Sequence, residues 1–159
     1  MPTRYLNPTL DVVFKMLLLK EPALLRDMIQ AVLGLDVPIG VIEVLNPDVE
    51  KELPSDKGIV LDLRVRLANG HQIGLEMQSA NPAGTRPRFL YYWARLYSRS
   101  LKAGDGYTSL RPTISILWFK QPLLQVPAFH TVFHVAGDGS HEIFTPELEF
   151  HVLELAHVH

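Results

Sequence analysis

The chain has 159 residues, enough for one domain with a real core, and its 47% hydrophobic and 20% charged content reads as globular rather than disordered. It contains no cysteine, which excludes disulfides and thiolate metal sites, and no apolar run reaches membrane-spanning length. A formal net charge of −2 does not advertise a nucleic-acid binder, so any such role must come from local patches.

Leu10 to Leu33 reads as helix, with Leu10, Val13, Phe14, Leu17, Leu24, Leu25, Met28, Ile29 and Val32 at helical spacing. Pro22 predicts a kink or a break near Glu21, and Gly34 a C-terminal stop. Ile39 to Leu45 is β-branched and predicts a strand; Asn46 to Asp56, with Pro47 and Pro54, predicts a polar loop. A hairpin over Ile59–Gln78 follows, then a loop over Ser79–Pro87. Thr85 is expected to cap a helix from about Arg86 to Ala103, with Pro87 in its first turn and an end at Gly104. Thr113–Phe119, Phe129–Val135 and Glu147–Leu155 predict strands. Three sequential strands suggest an antiparallel meander, which the second helix connects to a further strand. The N-terminus lacks the layout of a signal peptide, which makes the cytoplasm the default location.

The hairpin is the most informative segment. In Ile59–Leu67 the odd positions are apolar and the even ones are Val60, Asp62, Arg64 and Arg66; in His71–Gln78 the odd positions Ile73, Leu75 and Met77 are apolar and the even ones are Gln72, Gly74, Glu76 and Gln78. A two-residue Asn69-Gly70 turn would set apolar residues opposite polar ones and mix the faces. A three-residue loop pairs Leu67 with His71 and gives Gly70 the left-handed bulge position. Leu63 then opposes Leu75, Leu61 opposes Met77, and Asp62 opposes Glu76, with Cβ atoms about 4.5–5.5 Å apart. Carboxylates that close repel, raise one another's pKa or share a metal. The plain alternative is two solvent-facing acids with Arg64 and Arg66 as ion-pair partners, and Arg66 fits that role best.

Arg88, Tyr92, Arg95, Arg99 and Lys102 fall on one face of the second predicted helix. An aromatic among cations suits a nucleic-acid backbone with a stacked base or sugar, although a solvated face explains most charge runs. Asp11 and Lys15 lie one helical turn apart, and Lys57 precedes the Asp62 strand. His130 and His134 share a strand face about 13 Å apart, too far to chelate one ion.

Four stretches in order carry a family resemblance. They are Asp11-Val12-Val13-Phe14-Lys15, Lys57-Gly58-Ile59-Val60-Leu61-Asp62, Gly74-Leu75-Glu76-Met77-Gln78, and Arg88-Phe89-Leu90-Tyr91-Tyr92-Trp93-Ala94-Arg95-Leu96-Tyr97; Gly104 with Tyr107, and Glu154-Leu155, fit too. Over nearly its whole length the chain resembles the Rpn family, the recombination-promoting nucleases of the PD-(D/E)xK superfamily, also classed as transposases. Most of that superfamily has lysine where Gln78 stands, while glutamine is typical of this branch. The resemblance implies an α/β fold with a restriction-endonuclease-like core (helix, three-strand antiparallel meander, helix, strand) and extra C-terminal strands. It implies a single nuclease-like domain over residues 1–159, shortened at its C-terminus, since family members usually continue past the Glu-Leu segment whereas this chain stops at Ala156-His157-Val158-His159.

The activity implied is a Mg²⁺- or Mn²⁺-dependent DNA endonuclease of low sequence specificity, hydrolysing phosphodiester bonds. Asp62 and Glu76 would be direct metal ligands, the Met77 carbonyl a third by resemblance, and Gln78 would orient the attacking water or a phosphate oxygen. Arg88, Lys57, Arg64, Tyr92 and Arg95 are the candidate substrate contacts, and by superfamily analogy Asp11 could assist the metal. The partner implied is DNA, with no membrane; oligomeric state is open, a homodimer being one option. The alternative function is a catalytically inactive remnant that acts as a nucleic-acid-binding or oligomerisation module.

Overall fold

Apolar residues at three- and four-residue spacing fold the first part of the chain into α1 (Asp11–Lys20) and α2 (Pro22–Leu33) in the computed structural model, which describes residues 11–36, 38–45, 48–49 and 59–158. The helices part at Glu21 because Pro22 lacks an N–H and is tolerated only in the first turn of α2. Gly34, at φ 62°, ends α2: the N–H groups of Gly34 and Leu35 turn back onto the carbonyls of Ala31 and Gln30.

Strands follow as β1 (Ile42–Leu45), β2 (Asp48–Val49), β3 (Ile59–Val60), β4 (Leu63–Leu67) and β5 (Gln72–Gln78); α3 (Thr85–Ser98) leads to β6 (Thr113–Phe119), β7 (His130–Ala136) and β8 (Ile143–Glu154). A six-stranded sheet has the order β1-β4-β5-β6-β8-β7, and β2 pairs with β3 apart from it. The pairs β1–β4 and β4–β5 are antiparallel, and β7–β8 also. β6 runs parallel to β5 and to β8. The expected α/β core of helix, three-strand antiparallel meander, helix and strand is thus present, with β7 and β8 as the extra C-terminal strands.

The sheet divides the core in two. On one face Phe14, Leu18, Leu25, Ile29 and Val32 of α1 and α2 pack against Leu63, Val65, Ile73, Leu75, Met77, Ile114, Ile116 and Leu153. On the other face α3 sets Phe89 against Leu117, Phe119 and Val152, and Leu96 against Ile59 and Leu61. Gly74 permits this approach: a Cβ there would lie 3.2 Å from Leu96 Cδ1. β5 carries seven residues of which six are buried, as a strand covered on both faces must be.

Several expectations change. The strand expected over Ile59–Leu67 is two pieces, β3 and β4, with a bend at Asp62. The bend moves Leu61 off the face of Met77, where the sequence pattern sets it, and onto Leu96 of α3. Strand Ile39–Leu45 shortens to β1, and β2 lies inside the segment expected to be a polar loop. α3 starts after Gly84, at φ 85°, rather than from a Thr85 cap; the Thr85 hydroxyl donates to the Pro82 carbonyl at 2.7 Å. It ends at Ser98, five residues before Ala103. The Ser98 and Ser100 hydroxyls donate to the carbonyls of Arg95 and Tyr97, competing for the acceptors that end the helix. Lys102 therefore leaves the cationic stripe of α3.

Candidate active site

The hairpin turn settles the register on which the site depends. Leu67 N–H donates to His71 O at 2.9 Å, Gly70 N–H to Leu67 O at 2.9 Å, and Gly70 takes φ 87°. This is the three-residue loop with glycine in the left-handed region. Leu63 pairs with Leu75 and Arg64 with Gly74, so the next step down the hairpin is Asp62 beside Glu76.

At that step the regular ladder is replaced by a clasp. Asp62 N–H donates to Glu76 Oε1 at 3.1 Å, and Met77 N–H donates to Asp62 Oδ2 at 2.8 Å. Each carboxylate thus spends an oxygen on the backbone of the other strand, which helps to fix both. Glu76 is 5% exposed and Asp62 half-buried. Glu76 and Gln78 share the parity of Gly74 and so face α3, while Met77 packs its side chain into the α1–α2 core.

α3 supplies the other wall. Arg88, in its first turns, donates from Nη2 to Gln78 Oε1 at 2.6 Å, and Gln78 Nε2 donates to the Met77 carbonyl at 3.1 Å. The Arg88 guanidinium lies 4.8 Å from the ring centre of Phe89 and 6.0 Å from that of Tyr92. Phe89 is itself set edge-on against Phe119 and Tyr92. Tyr92 senses the same centre: burial holds its hydroxyl above the ordinary 10.0, Arg88 draws it down, and Glu76 and Asp62 push it up.

The remaining predicted residues separate by role. Arg64 donates to Gln72 Oε1 at 2.9 Å, and burial, then Arg66 and Arg99, hold its pKa below the ordinary arginine value. Arg64 and Arg99 therefore belong to one cationic region on the α3 side. Arg66 is an exposed ion-pair partner, as expected, but the acid it meets, at 3.1 Å, is Glu43 of β1. Arg95 lies in the last turn of α3. Lys57 and the side chain of Asp11 lie outside the described residues.

Two features were missed. Glu154 is fully buried, and its Oε1 accepts the N–H groups of Leu123 and of Leu124, the latter at 2.8 Å. With Asn81 donating to the Gln121 and Pro122 carbonyls, and Lys120 N–H to Gln78 O at 2.9 Å, it ties the segment after β6 across the end of β5. The sequence marked Glu154 only as a lone acid in the apolar run Val152-Leu153-Glu154-Leu155 and through the fit of Glu154-Leu155 to the family resemblance, and neither signal named its partners. The second is a histidine chain: His130 Nε2 and His151 Nδ1 are 2.8 Å apart, His151 Nε2 meets Glu149, and His134 Nδ1 lies 3.8 Å from Glu149 Oε2. Pairing of β7 with β8 brings these side chains together, which spacing along one strand could not show.

The donor set fits a hard divalent cation. Carboxylate oxygens are the donors such an ion prefers, and among the described residues no three His, Cys, Asp or Glu side chains stand together as a metal cluster. Zinc would ask for nitrogen or sulfur ligands, and among the described residues no such cluster is found. The sequence model of the family described as PD-(D/E)XK nuclease family transposase matches residues 8–159. No curated protein and no solved structure matches the chain.

Proposed function

For a chain that belongs to the PD-(D/E)XK nuclease family transposases, as this one does, we propose the function of a metal-dependent DNA endonuclease of low sequence specificity, acting through Asp62, Glu76 and Gln78. The observation that carries this reading is the clasp, in which two carboxylates are held on one face by each other's backbone, next to Gln78 and a cation on α3. Two charged acids so placed repel, and a cation between them turns that cost into binding.

Asp62 and Glu76 would hold Mg²⁺ or Mn²⁺ with the Met77 carbonyl as third ligand. When bound, the ion would polarise the scissile phosphate and lower the pKa of an attacking water. The backbone N–H bonds to the two carboxylates keep them oriented before the ion arrives, which lowers the cost of organising the site. Gln78 is an amide and cannot take a proton near neutral pH, so it orients. Tyr92 would stack on a base or sugar, and Arg64 and Arg95 would meet the DNA backbone along the face of α3. Low specificity follows from the absence, among the described residues, of a helix-turn-helix or zinc finger to read base edges.

The test is nicking of supercoiled plasmid with and without Mg²⁺, by the wild type and by Glu76→Gln. The wild type should nick only with metal, and the variant should lose activity by about two orders of magnitude or more. Equal nicking by both proteins contradicts the reading, and a wild type that binds DNA without nicking would support the inactive binding module instead.

A further inference from the structure

We propose that Arg88 is a positioning residue: it locks the Gln78 amide with its NH₂ group as the donor offered to the site, and it supplies from α3 the positive charge that residue 78 lacks. This deepens the nuclease reading and rests on it for the identity of the site.

The orientation of Gln78 is fixed by chemistry at both ends. A guanidinium has donors and no acceptor, so the 2.6 Å contact from Arg88 Nη2 requires the amide oxygen. The Met77 carbonyl accepts and cannot donate, so the 3.1 Å contact requires the amide nitrogen. A flipped amide would set N–H against N–H at one end and oxygen against oxygen at the other. One amide hydrogen is used on Met77, and the second is what Gln78 has left to give. Gln78 therefore acts as a donor, suited to a phosphate or leaving oxygen, and not as an acceptor of a water proton.

The placement of Arg88 is also determined. Its guanidinium rests near Phe89, which is 3% exposed and braced by Phe119 and Tyr92. Its Nε is buried and has no hydrogen-bond partner among the described residues, so the aromatic seat and Gln78 are the contacts that set its position there. A cation fixed against residue 78 disfavours a second cation there. It follows that the cation and the amide are exchangeable between the two positions as a pair but not singly.

The first experiment needs neither metal nor activity. In side-chain amide NMR of the metal-free protein, with the Gln78 signals identified by their loss in Gln78→Met, the Gln78 NH₂ protons should be shifted from free-glutamine values and protected from exchange with water. Arg88→Ala should return them toward free values while the other amide signals stay in place; unchanged Gln78 signals in a folded Arg88→Ala overturn the proposal. The second experiment is Mg²⁺-dependent nicking. Arg88→Ala should lower kcat about 100-fold with little change in KM for DNA, Arg88→Lys should retain part of the activity, and Gln78→Lys alone should be strongly impaired. The exchange Gln78→Lys with Arg88→Gln should recover at least about tenfold over Gln78→Lys. A raised KM at unchanged kcat in Arg88→Ala, or an exchanged pair no better than Gln78→Lys, overturns the proposal. Absence of nicking by the wild type sinks the nuclease reading instead, and leaves the NMR result to decide the role of Arg88.

Discussion

The Asp62 carboxylate has a structural duty beside the chemical one proposed for it, because it accepts the Met77 N–H across the hairpin at 2.8 Å. The two duties separate by substitution. Asp62→Asn keeps an oxygen for that N–H and loses the charge, so its unfolding free energy should stay within about 1 kcal/mol of the wild type. Asp62→Ala leaves a backbone donor without its partner and should cost about 1–3 kcal/mol. Urea denaturation of the three proteins measures this, and equal stability of the two variants would show that the clasp contributes nothing to the fold. At this scale the sequence is informative where parity decides: Asp62, Glu76 and Gln78 fall together because a strand alternates. It is silent where contact depends on a distant element, and so neither the Gln78 partner of Arg88 nor the bonds from Glu154 to the segment after β6 could be read.

The hairpin register was legible because Asn69-Gly70 and the apolar alternation admit one arrangement that keeps the faces unmixed. The bend at Asp62 was not, because the alternation of Ile59, Leu61 and Leu63 runs through it unbroken while the chain changes face. Likewise β7 and β8 could be anticipated as strands but not their pairing, and that pairing builds the histidine chain. Burial, then His151, hold His130 below its ordinary 6.5, with Glu149 acting the other way. Glu149 is held below its ordinary 4.5, chiefly by its hydrogen bond with His151. Both folded-state pKa values are depressed, so the unfolded chain binds protons that the folded chain refuses. The His130 contribution is present above pH 6.5 and is lost as pH falls from there through its folded value; that of Glu149 is lost at lower pH, below 4.5. Stability measured by urea denaturation should therefore drop between pH 7 and pH 5.5, and drop less in His130→Gln. An equal drop in both proteins would remove His130 from the account.

Across the whole molecule, the α/β class and the order of elements follow from period and punctuation, and the sheet adds what order alone does not give. β6 is inserted parallel to β5, so α3 must cross one face and deliver Arg88 and Tyr92 to the end of β5 where Glu76 and Gln78 stand. The opposite face is filled by α1 and α2. No helix among the described residues is long and apolar enough to cross a membrane. The central claim of the proposed function is that a divalent cation binds between Asp62 and Glu76. Calorimetric titration of Mn²⁺ and Mg²⁺ into the wild type and into Asp62→Asn tests it most directly. The account predicts a saturable site in the wild type that Asp62→Asn loses; the same binding heat in both proteins, or none in the wild type, would contradict it.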